Sequence, residues 1–163
     1  MKLEPATIDL LDTADVVITT EVDLPASIDE VWAVIADNTS WPEWFHNCAE
    51  MTASVDVWTE AGQTRTIKTT PFVVEETSIL IEAPTRWAMT LNTTNVPMAT
   101  RMLEVLDLTD TSRNSEERTE VRWTGALDLP VYLRPVRRIT ESILIRTWGK
   151  SLEALHGAVV ARR

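Results

Sequence analysis

The sequence predicts an α+β domain in which an antiparallel sheet wraps one long C-terminal helix. Three observations predict it. A helical period runs from about residue 136 to 160, where Val136, Ile139, Ile143, Leu144, Trp148, Leu152, Leu155 and Val159 fall on one broad face. Most of the chain before it is a train of segments that alternate with a period of two. Only two short helical segments interrupt that train, both directly after its first strand. A helix of this length spans roughly 37 Å at ~1.5 Å per residue, enough to cross a small domain. One apolar face that long needs one large apolar surface, and only the alternating segments can supply it.

Each element has its own signal. Residues 1 to about 14 have no clear period and read as a tail or an irregular extra strand. Val16, Ile18, Thr20, Val22 and Leu24 form one face of the first strand, which Pro25 ends. Ser27 and Glu30 form a capping box that opens a short helix over about 28–37. Ser40 is placed to cap a second short helix, with Pro42 in its first turn, where a missing N–H costs little. Further strands are predicted over 51–58, 64–70, 72–81, 86–91, 99–108 and 119–125. They are separated by Ala61-Gly62, Pro71, Ala83-Pro84-Thr85, a loop over 92–97, and the polar run DTSRNSEE. Pro135 must end or kink any helix begun at Val131. No internal repeat or linker divides the 163 residues, so one domain is expected over 1–163.

Composition narrows the function classes. Fifteen basic against 25 acidic residues give a net charge of −10. That charge opposes nucleic acid and an anionic membrane surface as partners of the whole molecule, while leaving room for a local basic patch. No segment approaches the ~20 apolar residues of a membrane span, and no signal-peptide pattern opens the chain. With Cys48 as the single cysteine, no intrachain disulfide can form; a cytoplasmic protein is expected. Four glycines and no Gly-rich phosphate loop argue against nucleotide binding, and two histidines with one cysteine supply no metal set. No cofactor and no catalytic residue is assigned.

The stretch ITTEVDLPASIDEVWAVIADNTSWPEWF, residues 18–45, together with the terminal helix, resembles the polyketide cyclase/dehydrase and lipid-transport family. That family belongs to the START-like, Bet v 1-like (SRPBCC) superfamily. Pro25, Ala26, Val31, Trp32, Asp37, Trp41, Pro42 and Trp44 carry the likeness, and the order of elements matches it over residues 16–160. The resemblance implies the helix-grip fold: a curved seven-stranded antiparallel sheet around the C-terminal helix, with two short helices after the first strand. It also implies a cavity between sheet and helix for a hydrophobic small molecule such as a lipid, polyketide, sterol or quinone. Three functions follow from it: a binder or carrier of such a molecule, which is the leading expectation, a polyketide cyclase or aromatase-like enzyme, and a protein-interaction module. In the family's aromatising cyclases an inward arginine works with a tyrosine or other polar group. Here the sole tyrosine, Tyr132, lies just before the long helix, which favours the carrier.

Candidate ligand contacts are Trp87, Met89 and Trp123, on the apolar parity of their strands, and Thr147, Trp148 and Ser151, on the apolar face of the helix. Among the strand arginines Arg65, Arg101 and Arg122, an inward one would anchor a ligand anion and an outward one would be solvated. Arg101 is the choice, because Met102, Leu103, Val105 and Leu106 beside it leave no polar face. Glu76 and Glu104 interrupt apolar alternation; they are read as solvated outer residues, with a buried general acid or base as the alternative. Trp148, midway along the helix, is expected to border the cavity, with Gly149 giving its ring room.

Overall fold

The computed structural model describes residues 1–162. Its elements are α1 (Leu10–Thr13), β1 (Val16–Leu24), α2 (Ile28–Ala36), α3 (Trp41–Trp44), β2 (Cys48–Ala53), β3 (Thr64–Thr69), β4 (Val73–Glu82), β5 (Arg86–Thr94), β6 (Arg101–Asp110), β7 (Thr119–Asp128) and α4 (Arg137–Val160). All seven strands form one antiparallel sheet in the order β1-β7-β6-β5-β4-β3-β2. Strands β2 to β7 form a meander, and β1 closes onto the last of them. Register shifts in β2–β3 and β4–β5 mark bulges, which bend a sheet and raise its twist. The bent inner face grips α4, which lies closest to β1.

Local chemistry explains the helices. Ser27 and Glu30 complete the capping box, each side chain meeting the other's backbone N–H. A 3-10 turn over Asn38–Ser40 leads into α3. Ser40 does not cap α3 as expected. Its hydroxyl is buried and donates to the Val34 carbonyl at 2.7 Å, while accepting the Trp44 indole N–H at 3.1 Å. Pro135 sits inside a 3-10 stretch, Val131–Val136, and α4 starts only after it. The strand expected over 51–58 ends at Ala53. The chain then folds back so that Val57 bridges Asp37 and Trp58 enters the core beneath α2.

The first fourteen residues are neither a loose tail nor a strand of the sheet. Lys2 bridges Thr93, the Ala6 N–H donates to Thr90 Oγ1 at 2.9 Å, and Leu10 opens the single turn α1. Ala6 and Leu10 pack with Ala88, Leu103, Val105 and Ala126, covering the outer face of the central strands. This explains why β6 is apolar on both faces.

The apolar face of α4 also divides. Leu144, Trp148, Leu152, Leu155 and Val159 point into the sheet, whereas Val136, Ile139 and Ile143, expected on the same face, are exposed. The two sets lie roughly a third of a turn or more apart at ~100° per residue. The sheet covers only one of them.

Candidate functional site

The inner face of the sheet carries a polar row through an apolar core. Arg65 on β3 lies opposite Glu76 on β4, Met89 on β5 opposite Glu104 on β6, and Glu104 opposite Gly125 on β7. Strand alternation then turns all of these positions inward. Arg65 Nε donates to Glu76 Oε2 at 2.6 Å, with side-chain exposures of 0% and 3%. Arg65 Nη2 points at the Met89 sulfur, 3.2 Å away. The guanidinium carbon sits 3.7 Å from the Trp41 ring centre, 4.6 Å from Trp87 and 5.6 Å from Trp58. Among the described residues no hydrogen-bond acceptor meets Arg65 Nη1 or the indole N–H of Trp58 or Trp87, and the charge sits against the Glu76 carboxylate and ring faces. Burial pushes the Arg65 pKa down, and the adjacent Glu76 opposes that shift.

Glu104 is the other carboxyl of the row. It is buried and accepts the Trp123 indole N–H at 3.0 Å. Burial first, and the Glu76 charge second, push its pKa up to about 8, against the pull of Arg65 and Trp123. One cation beside two carboxyls suits one ionised pair and one neutral acid. Glu104 thus holds its proton to higher pH than an ordinary carboxyl, and in that form it can donate a hydrogen bond at the base of an apolar space.

That space lies between the sheet and the first half of α4. Glu76, Glu104, Leu91 and Met102 form its floor, and Phe45, Ile143, Thr147 and Trp148 its other walls. It holds about 70 Å³ and continues past Phe72, Met98, Ile143 and Leu144 into an apolar groove of about 260 Å³. Val96, Pro97, Tyr132 and Leu133 rim the groove. Together they just reach the lower end, about 300 Å³, of ordinary small-molecule sites.

The expected contact residues separate on this frame. Trp148 and Thr147 line the cavity. Trp148 stacks on Trp123, with ring centres 5.2 Å apart and planes within 7°. Its ring lies over Gly125, where an added Cβ would fall 2.1 Å from it. Gly149, expected to give the ring room, has nothing within 4 Å of an added Cβ; the glycine that makes space for Trp148 is Gly125. Trp87, Met89 and Trp123 are inward and buried, but they stand behind the cavity wall and cradle Arg65 and Glu104. Ser151 ties α4 to the turn after α3: its hydroxyl donates to the Thr147 carbonyl at 2.9 Å and accepts the His46 N–H at 3.0 Å.

Arg101 is on the outer face, donating to Asp128 at 2.8 Å. It shares parity with Leu103 and Val105, which pack under α1, and not with Met102 and Glu104. The inward arginine is Arg65, and Glu76 and Glu104 are inward too, against the expectation of solvated positions. A parity signal for all three exists. Arg65 alternates with Ile67, Glu76 with Val74, and Glu104 with Met102 and Leu106.

Comparison with known proteins agrees with this architecture. The family described as polyketide cyclase/dehydrase and lipid transport matches residues 15–162. No curated protein matches by sequence. Among solved structures, an aromatase/cyclase, Zhui from Streptomyces sp. R1128, superposes with a TM-score of 0.71 at 17% identity, over 90% of this chain and 94% of that one. A START superfamily protein from Mycobacterium smegmatis gives 0.71 at 12% identity, over 90% and 99%. XoxI from Bacillus cereus gives 0.70 at 16% identity, over 88% and 95%. These likenesses are in fold; the family match spans nearly the whole chain, and the protein belongs to the polyketide cyclase/dehydrase and lipid-transport family.

Proposed function

We propose that the protein binds a small, mainly apolar molecule between the sheet and α4, with one polar group of that molecule at Glu104. The supporting observation is an apolar groove that narrows onto a neutral, buried acid. A protonated carboxyl favours a ligand carbonyl, ether or hydroxyl oxygen over a carboxylate, because it donates a hydrogen bond without adding countercharge. The free space is small, so a larger ligand must displace Ile143 or Phe72 at the neck. The lone thiol, Cys48, suits a cytoplasmic carrier.

Native mass spectrometry of freshly purified protein tests this reading directly. The expected result is a co-purifying apolar molecule carrying an oxygen acceptor, released from the parent protein as pH rises past about 8 but retained by Glu104→Gln, whose amide N–H still donates. Protein that stays ligand-free and shows no change in tryptophan emission with a panel of apolar ketones, alcohols and fatty acids overturns it.

A second reading, cyclase-like acid catalysis, is favoured by one observation: an ionisable pair and a neutral acid share the floor of the cavity. In that reading the enol form of one ketone adds through its carbon to the carbonyl carbon of another, Glu104 gives its proton to that carbonyl oxygen as the C=O π bond breaks, and the enol O–H proton returns to the Glu104 carboxylate. Turnover of a short poly-β-ketone analogue, lost in Glu104→Gln but with binding retained, separates enzyme from carrier.

A further inference from the structure

The segment around the groove mouth has a composition unlike the rest of the chain. Between Val131 and Arg146 it carries four arginines and one glutamate, in a protein of net charge −10. Six of its apolar residues are turned outward: Val131 is 77% exposed, Tyr132 63% and Ile139 60%, with Val136, Ile143 and Ile145 also exposed. Along α4, positions 136, 139, 143, 146 and 150 fall on one uncovered stripe at alternating spacings of three and four. The stripe reads Val, Ile, Ile, Arg, Lys.

The charges of this stripe are unspent. Ion pairs engage Arg65, Arg86, Arg101, Arg118, Arg122 and Arg162 elsewhere, and Arg134 pairs with Asp15. Among the described residues, Arg146 and Lys150 on the stripe form none, and neither do Arg137 and Arg138 where α4 begins. Exposed aliphatic and aromatic residues bordered by free cations are what an anionic bilayer interface selects: apolar groups enter the headgroup boundary, and arginines meet lipid phosphates. The acidic remainder of the molecule does not cancel this attraction, because charges more than about 8 Å away are screened at physiological ionic strength.

We propose that the exposed face formed by Val131–Val136 and the first half of α4 docks on an anionic phospholipid surface, bringing the groove mouth to the membrane. This rests on the exposed surface and not on what the cavity holds. It gives an apolar ligand a route between bilayer and groove that avoids water.

The test is cosedimentation with vesicles of phosphatidylcholine containing phosphatidylglycerol, against vesicles of phosphatidylcholine alone. The expected result is salt-sensitive binding to the anionic vesicles only. Each basic residue contributes about fivefold to partitioning, so Arg146→Gln/Lys150→Gln should bind about 25-fold more weakly. Ile139→Asp, on an exposed position away from the cavity, should also release the protein. Glu104→Gln should bind vesicles like the parent, which keeps this result separate from the fate of the ligand-binding reading. No binding to anionic vesicles at low salt, or binding by Arg146→Gln/Lys150→Gln equal to that of the parent, overturns the proposal. So does a dimer that Ile139→Asp splits in the absence of any vesicle binding, since the face would then serve a second copy of the chain.

Discussion

Glu104 keeps its proton when folded because burial and the Glu76 charge both disfavour the carboxylate. Its ordinary value is 4.5 and its folded value about 8, so between these limits the folded protein binds the extra proton. Its contribution to stability is therefore full below pH 4.5, falls by about 1.4 kcal/mol per pH unit as pH rises, and is gone above about pH 8. Urea midpoints followed from about pH 5 to about pH 8 should decline in the parent and flatten in Glu104→Gln. Two glycines should respond in opposite senses. Gly125→Ala drives a methyl into the Trp148 ring and should cost about 1–3 kcal/mol, whereas Gly149→Ala meets nothing and should gain up to about 1 kcal/mol of helix propensity. Thermal melts of the two variants check this. At this scale the sequence is least explicit. The parity of Glu104 with Met102 and Leu106 points inward, but Leu103 and Val105 make the opposite face of β6 equally apolar. Only the packing of residues 1–14 on that opposite face resolves which side is the cavity.

Among the elements, β3 and β4 are joined by their backbone ladder and by a buried cross-strand ion pair, Arg65–Glu76. Removing one partner leaves an uncompensated charge in the core, whereas removing both need cost little. Arg65→Met should lose about 3–5 kcal/mol, and adding Glu76→Leu should recover most of it. Denaturant titrations of the four proteins in the cycle measure the coupling, and additive losses would show that the tryptophan faces, not Glu76, hold the guanidinium. The elements themselves were legible where a local rule governed them: the capping box of α2, the proline break before α4, and the alternation of β1 and β7. The end of β2 and the α1 segment were not, since each is set by a distant partner. Trp58 leaves its strand to join the Arg65 cluster, and Ala6 bonds to Thr90 across 84 residues.

For the whole molecule, the long terminal helix and the strand train specified the fold, because one apolar helix face and a set of half-buried strands leave few ways to bury both. The sheet grips α4 from Leu144 to Val159, and the turns before Leu144 carry exposed aliphatics beside the groove. A ligand in that groove should slow amide exchange most between about residues 137 and 147. Present at 100 times its Kd, it should also raise stability by about 2.7 kcal/mol. Exchange measured by mass spectrometry with and without ligand checks the location, and uniform slowing along the chain would argue against the groove. The parallel indoles of Trp123 and Trp148 add a consequence of their own. One ring belongs to β7 and the other to α4, and at 5.2 Å their transition dipoles must couple. Where the two dipoles are skewed within those planes, the coupling gives a pair of circular-dichroism bands of opposite sign, whose strength falls as the rings part. The protein thus carries an optical gauge of helix displacement, readable without any label.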